Sequence, residues 1–175
     1  MKRKWILPIL IMLLVIVIDQ LSKGGLLYLI TGRAPMGGAA FSLVPYPYMM
    51  TQVSDFFNVV FTWNPGTSFS MLRGIGESMP LVIIALTGII IGVLVYQMFF
   101  GNGNKTEKIG MAMIVGGALG NLIDRVRFGA VIDFLDFHIG AWHWPAFNFA
   151  DMAICFGVVM MVVSWLISAV RDKTK

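Results

Sequence analysis

Two stretches, residues 79–100 and 152–170, run for 22 and 19 residues without a formal charge, and they constrain this chain more than any other feature. A helix needs about 20 apolar residues to cross about 30 Å of hydrocarbon, and a backbone in lipid must satisfy its own hydrogen bonds. Both stretches are therefore expected to be transmembrane helices. A hydrophobic content of 58% against 13% charged residues excludes an ordinary soluble domain. Two shorter charge-free stretches, 5–18 and 109–123, reach membrane length only by continuing through polar ends. Those ends carry Asp19 with Lys23, and Asn121 with Asp124. The sequence thus predicts an α-helical integral membrane protein of one domain, residues 1–175, with helices over about 5–30, 79–100, 109–127 and 150–170.

Orientation follows from the basic residues near the helix ends. Lys2, Arg3, Lys4, Lys105, Lys108, Arg171, Lys173 and Lys175 fall on one side with acidic Glu107 and Asp172. The opposite side and its helix ends hold five basic and seven acidic residues. The basic side is predicted to be cytoplasmic, with both termini on it. Residues 1–18 imitate a secretory signal, but Asp19 and Lys23 stand where a small-residue cleavage site would be, so an uncleaved first helix is expected. Topology accounts for the net charge of +4, and no basic cluster points to nucleic acid. The lone Cys155 reads as a packing residue inside a helix.

Two segments are expected on the outer side. Residues 31–78 are punctuated by Gly32, Pro35, Gly37, Gly38, Pro45 and Pro47, then enter a β-prone run at Val59, Val60, Phe61 and Thr62 before the Asn64-Pro65-Gly66 turn. A small extracytoplasmic β element is predicted there. Residues 128–149 carry Phe128, Phe134, Phe137, Trp142, Trp144 and Phe147, rings that favour the headgroup level, so this segment is expected to lie on the bilayer surface. Residues 101–107, rich in Gly and Asn, reverse the chain on the inner side.

Helix rise converts sequence into depth. Asp151 lies about 30 Å from Arg171, Asp124 about 24 Å from Lys108, and Asp19 about 22 Å from Lys4, which gathers three carboxylates near the outer boundary. Asp133 and Asp136 join them if Gly129 ends the third helix. Carboxylates at membrane depth are costly and mark function. Two at close range share a proton, so one serves as base and the other as acid, and water is activated without a metal or a covalent nucleophile. The structural alternative is simple ion pairing, which suits Asp19 and Lys23 at i,i+4. Gly117, Asn121 and Asp124 share one helix face, and the neighbouring Gly116 and Gly120 permit close helix approach. His138 and His143 lack metal-ligand spacing, and adjacent Ser22 and Lys23 point too far apart on a helix to act as a dyad. No metal and no cofactor is expected. A small proton-coupled transporter is the competing class, although its expected inverted repeats are not seen.

Four blocks taken together resemble lipoprotein signal peptidase, the signal peptidase II family. They are Asp19-Gln20-Leu21-Ser22-Lys23, Asn64-Pro65-Gly66-Thr67-Ser68-Phe69-Ser70, the run from Gly116 to Arg125, and Val131-Ile132-Asp133-Phe134 followed by Phe147-Asn148-Phe149-Ala150-Asp151. The resemblance implies an aspartic endopeptidase of the bacterial cytoplasmic (inner) membrane with its site near the outer face. It implies Asp133 and Asp151 as the catalytic pair, and Asn64, Gly66, Asn121, Asp124, Arg125, Asn148, Asp19, Lys23 and Gly117 as residues that line or support the site. The implied substrate is a diacylglyceryl-modified prolipoprotein, cut immediately before its lipidated cysteine. Membrane lipids and globomycin-type inhibitors are the other implied partners, with the protein a monomer and the β element a β-cradle over the substrate. Two departures from the family pattern stand out: Thr67-Ser68 in place of two alanines, and added length near 37–50. If Asn148 caps the fourth helix, Asp151 falls at its third position, where the helix dipole favours the ionised form, so Asp151 is expected as base and Asp133 as acid.

Overall fold

In the computed structural model, residues 5–31, 49–66 and 79–173 are described. Four long helices and four strands follow in chain order as α1 (Ile6–Thr31), β1 (Met49–Ser54), β2 (Phe57–Asn64), α2 (Met79–Phe100), α3 (Lys105–Phe128), β3 (Val131–Ile139), β4 (Trp142–His143) and α4 (Phe149–Lys173). Each helix contains a span long and apolar enough to cross a membrane, as the hydropathy predicts. The strands form an antiparallel sheet in the order β1-β2-β3-β4. Residues 37–48 and the pair Thr67 and Ser68 lie outside the described residues.

The chain divides into two compact units. One comprises 1–19, 88–120 and 149–175, and the other 20–87 and 121–148.

The first unit is helical. Its packing centres on α3, the most buried of the four helices, while the others keep most of their apolar side chains exposed, as lipid-facing helices do. Small residues on α3 make that burial possible. A Cβ at Gly157 of α4 would lie 2.5 Å from the Gly110 carbonyl oxygen, and one at Gly110 would lie 2.8 Å from the Gly157 carbonyl oxygen. Backbone thus meets backbone where α3 crosses α4. Gly117 approaches the Ala150 carbonyl of α4 in the same way, and Gly116 faces the Met12 carbonyl of α1. Without a hydrophobic drive between helices in lipid, such close van der Waals approach is what holds them. Met98, Met111 and Ala112 form a buried cluster with Ile11, Met12, Leu94, Phe99 and Met161 around it.

The turn before α3 is capped more specifically than a simple chain reversal requires. The Glu107 N–H donates to Asn104 Oδ1 at 3.1 Å and the Asn104 N–H donates to Glu107 Oε2 at 3.0 Å, a reciprocal capping box. Asn104 Nδ2 also donates to Ser164 Oγ of α4 at 2.7 Å. At the other end, Gly129 takes φ +76° and stops α3.

The second unit is built on the sheet. Register pairs Thr62 with Asp133 and Asn58 with Asp136, with an irregularity between Val59 and Thr62. Val60, Phe61, Val131, Ile132, Phe134 and Leu135 are buried, as is Leu27. Val131–Asp136 of β3 is buried at six consecutive positions, so the strand shows no period-two alternation. Residues 131–139 form a strand that pairs with β2.

The glycine crossing gives a direct test. Gly157→Ala is expected to destabilise the purified protein by about 1–3 kcal/mol through overpacking, read as a lower midpoint in detergent. Gly88→Ala, where nothing lies within 4 Å of the added methyl, is expected to leave the midpoint unchanged or raise it.

Candidate active site

The candidate site grows from Asp133, a buried carboxylate on β3. Asn64, the last residue of β2, donates from Nδ2 to Asp133 Oδ2 at 2.9 Å. The turn after it holds that amide still: the Gly66 N–H donates to Asn64 Oδ1 at 2.9 Å. Gly66 sits at φ +85°, and a Cβ there would strike Ile83 Cδ1, so the turn requires glycine. From the other side Asn148, fully buried, donates from Nδ2 to Asp133 Oδ1 at 2.7 Å. The same nitrogen lies 3.1 Å from Asn121 Oδ1 and 3.2 Å from the Ile132 carbonyl oxygen. Thr62 Oγ1 donates to the Asp133 carbonyl at 3.2 Å.

Behind the amides lies an ion pair. Lys23 Nζ is 2.8 Å from Asp124 Oδ2, with both side chains almost wholly buried, and it donates to Asn121 Oδ1 at 3.0 Å. Asp124 also accepts from Gln20 Nε2 at 2.9 Å and from the Ile132 N–H at 3.3 Å. Burying a charged pair is tolerated only when its remaining donors and acceptors find partners, and the bonds to Asn121, Gln20 and the Ile132 N–H supply several of them. Lys23, Asp124, Asn121, Asn148, Asp133 and Asn64 therefore form one continuous hydrogen-bonded chain. Arg125 is partly buried in the last turn of α3.

Three expected site residues belong to the helical unit. Asp19 is fully buried, and its Oδ1 accepts the Ala150 N–H at 3.0 Å. A carboxylate there satisfies one of the orphan donors at the start of α4 and meets the positive end of its dipole. The fit is close, because a Cβ at Gly120 would lie 2.5 Å from Asp19 Oδ2. Gly117 packs on the Ala150 carbonyl, and Asp151 stands partly exposed in the first turn of α4. Asp19 holds the Ala150 N–H, and the Asn148 amide nitrogen turns to Asp133.

A second polar cluster was not anticipated from sequence. Asp136 on β3 accepts from Asn58 Nδ2 at 2.8 Å and lies 2.9 and 3.0 Å from His143 Nδ1. The rings of His138 and His143 stack with centroids 4.8 Å apart across the β3–β4 hairpin. Beside them an apolar hollow of about 520 Å³ is lined by Phe56, Phe137, Ile139, Trp142, Trp144 and Phe147 among others. Its rim residues Ile139 and Trp142 are exposed, as suits contact with headgroups. The paired His and Asp could have been suspected from the two His flanking a Gly140 turn, but nothing in the spacing named Asp136 as the partner.

Comparison with known proteins gives these residues a setting. The sequence pattern of the family described as Signal peptidase (SPase) II matches residues 11–167. The lipoprotein signal peptidase of Anaplasma phagocytophilum is 38% identical over 164 residues, covering 91% of this chain and 92% of that protein. That of Paraburkholderia phymatum is 46% identical over 113 residues, covering 63% and 66%. A solved bacterial membrane enzyme superposes with a TM-score of 0.68 at 30% identity, covering 91% of this chain and 92% of its own. Four membrane-length helices together with these matches define an integral-membrane peptidase. The chain belongs to the signal peptidase II family.

The Asp136 cluster carries a pH signature. Burial pushes this carboxyl up, but the Asn58 amide and His143 outweigh it and hold its pKa below the ordinary 3.8. A depressed value in the folded state means that Asp136 contributes stability above pH 3.8 and loses it as pH falls through the folded value. Protection factors for the β3–β4 hairpin amides are thus expected to hold down to about that pH and then drop, a dependence that Asp136→Asn removes.

Proposed function

We propose that this protein cleaves the signal peptide from diacylglyceryl-modified bacterial prolipoproteins immediately before the lipidated cysteine, with Asp133 and Asp151 as a water-activating carboxylate pair. The observation that carries the proposal is the Asp133 carboxylate, buried and gripped by the amides of Asn64 and Asn148 on the segment where the family resemblance expects catalysis. Asn148 directly precedes α4, and Asp151 lies in the first turn of that helix, so chain connectivity favours the pairing. Relatives named lipoprotein signal peptidase support the substrate class.

The chemistry consumes one water. The ionised carboxylate takes a proton from water as its oxygen attacks the scissile carbonyl carbon, while the protonated partner donates to the carbonyl oxygen. Collapse of the tetrahedral intermediate re-forms the carbonyl and breaks the C–N bond. The cysteine amine leaves with a proton, and the pair returns to its starting state. Helix lengths suit this substrate: a signal peptide is itself a membrane helix, its lipid anchors the cysteine at the bilayer surface, and the bond between them lies near a boundary that Asp151 reaches by rise alone. We place the enzyme in the cytoplasmic (inner) membrane as a monomer, with both termini inside, the site at the outer face and globomycin-type inhibitors competing with substrate.

Purified protein in detergent, given a diacylglyceryl prolipoprotein, is expected to cut in the presence of chelator. Asp133→Asn and Asp151→Asn are each expected to lower kcat by about 10²–10⁴ or more. Cutting by either variant at the wild-type rate would remove that residue from the pair.

A further inference from the structure

The helical unit holds a hollow that the proposed chemistry does not use. It measures about 500 Å³ and is lined by Leu94 and Gln97 of α2, Glu107 and Met111 of α3, and Val162 and Trp165 of α4, among others. That size suits a small-molecule site. All six residues belong to one compact unit. Met111 is part of the buried methionine cluster and Leu94 packs against it, so the core fixes the apolar wall. Gln97 stands about one turn from the end of α2 and Trp165 about two turns from the end of α4, which sets the hollow where hydrocarbon gives way to headgroups. With four spans, this is the side on which both termini lie.

Two polar side chains interrupt the apolar lining. The Glu107 carboxylate accepts from three neutral donors: the Asn104 N–H at 3.0 Å, Asn104 Nδ2 at 3.0 Å and Ser164 Oγ at 3.2 Å. These bonds fix its place but supply no countercharge, and no lysine or arginine among the described residues pairs with it. Lys108, the next residue, lies over the Trp5 ring at 4.3 Å instead. The Gln97 side chain hydrogen-bonds to no described residue. A carboxylate at membrane depth is costly unless it meets a cation. What complements this hollow is therefore a cation carried on an apolar body.

A primary ammonium matches the polar end in kind. Its three N–H donors suit the carboxylate of Glu107 and the amide oxygen of Gln97, and an indole face such as that of Trp165 attracts a cation. A trimethylammonium has the charge without the donors. An anionic headgroup would set like charge against Glu107. Lys105, exposed in the first turn of α3, suits the phosphate that a phospholipid carries beside its ammonium.

We propose that this hollow binds one phospholipid with a primary-ammonium headgroup, of the phosphatidylethanolamine type, from the leaflet on the side of the termini. The ammonium meets Glu107 and Gln97, and one acyl chain lies along Leu94, Met111, Val162 and Trp165. The lipid thereby ties α2, α3 and α4 together at this end.

Native mass spectrometry of the full-length protein, delipidated in detergent and titrated with chain-matched phosphatidylethanolamine, phosphatidylcholine and phosphatidylglycerol, tests it. One phosphatidylethanolamine is expected to bind with an apparent Kd about tenfold or more below those of the other two, as a charge-assisted contact implies. Glu107→Gln, which keeps a side chain able to cap α3, is expected to bring phosphatidylethanolamine to the level of phosphatidylcholine. Val162→Trp, which fills the hollow, is expected to weaken all three. Equal affinities in wild type, a preference for phosphatidylglycerol, or selectivity that survives in folded Glu107→Gln overturns the proposal. A wild-type dimer that Val162→Trp dissociates with lipid binding unchanged gives this face to a second copy of the chain and overturns it too. If Glu107→Gln does not fold, Gln97→Leu, which breaks no side-chain hydrogen bond to a described residue, is read in its place: about a threefold loss of phosphatidylethanolamine affinity is expected, and unchanged selectivity contradicts the site.

Discussion

A lysine ammonium almost wholly buried at the edge of a membrane helix must be compensated in full, and much of the described polar structure follows from that requirement. Asp124 supplies the countercharge, and Gln20 and the Ile132 N–H complete its acceptor set. Asn121 takes another ammonium proton with its oxygen, which commits Asn148 to donating. Removing one partner of such a buried pair costs about 3–5 kcal/mol because the other is stranded. That cost ties the chemistry of Asp133 to residues from α1 and α3 that lie in the same unit.

The helical unit is governed by close approach. Gly110 and Gly157 let α3 and α4 touch at backbone distance, Gly117 does the same at the Ala150 carbonyl, and Gly120 leaves room for the Asp19 carboxylate. Asp19 then holds the Ala150 N–H at the start of α4, one residue before Asp151. Small residues and a buried carboxylate together determine where that helix begins, and so where Asp151 is presented. Packing and electrostatics are here one constraint, since a larger side chain at 120 would displace the charge that caps the helix.

The four spans were legible in the sequence because membrane length and absence of charge are one-dimensional properties. Strand β2 was legible from its β-branched run, but β3 was not, since six consecutive buried positions erase the alternation that marks a half-exposed strand. The Asn104-to-Glu107 capping box was legible in principle as an Asn-x-x-Glu pattern and was read only as a turn. The carboxylates themselves were identifiable by depth and motif. Their partners were not: that Asp133 takes Asn64 and Asn148, that Asp19 takes Ala150, and that Asp136 takes His143 and Asn58 are outcomes of strand register and helix crossing. Sequence separation carries no trace of either.

The central proposal is that Asp133 and Asp151 act as one catalytic pair. In a Cys155→Ser background, Asp133→Cys and Asp151→Cys introduced together and treated with a short thiol-bridging reagent in detergent test it most directly. An intramolecular bridge that a diacylglyceryl lipopeptide substrate protects against is the predicted result. Two cysteines in folded protein that each react singly and never bridge would contradict the account.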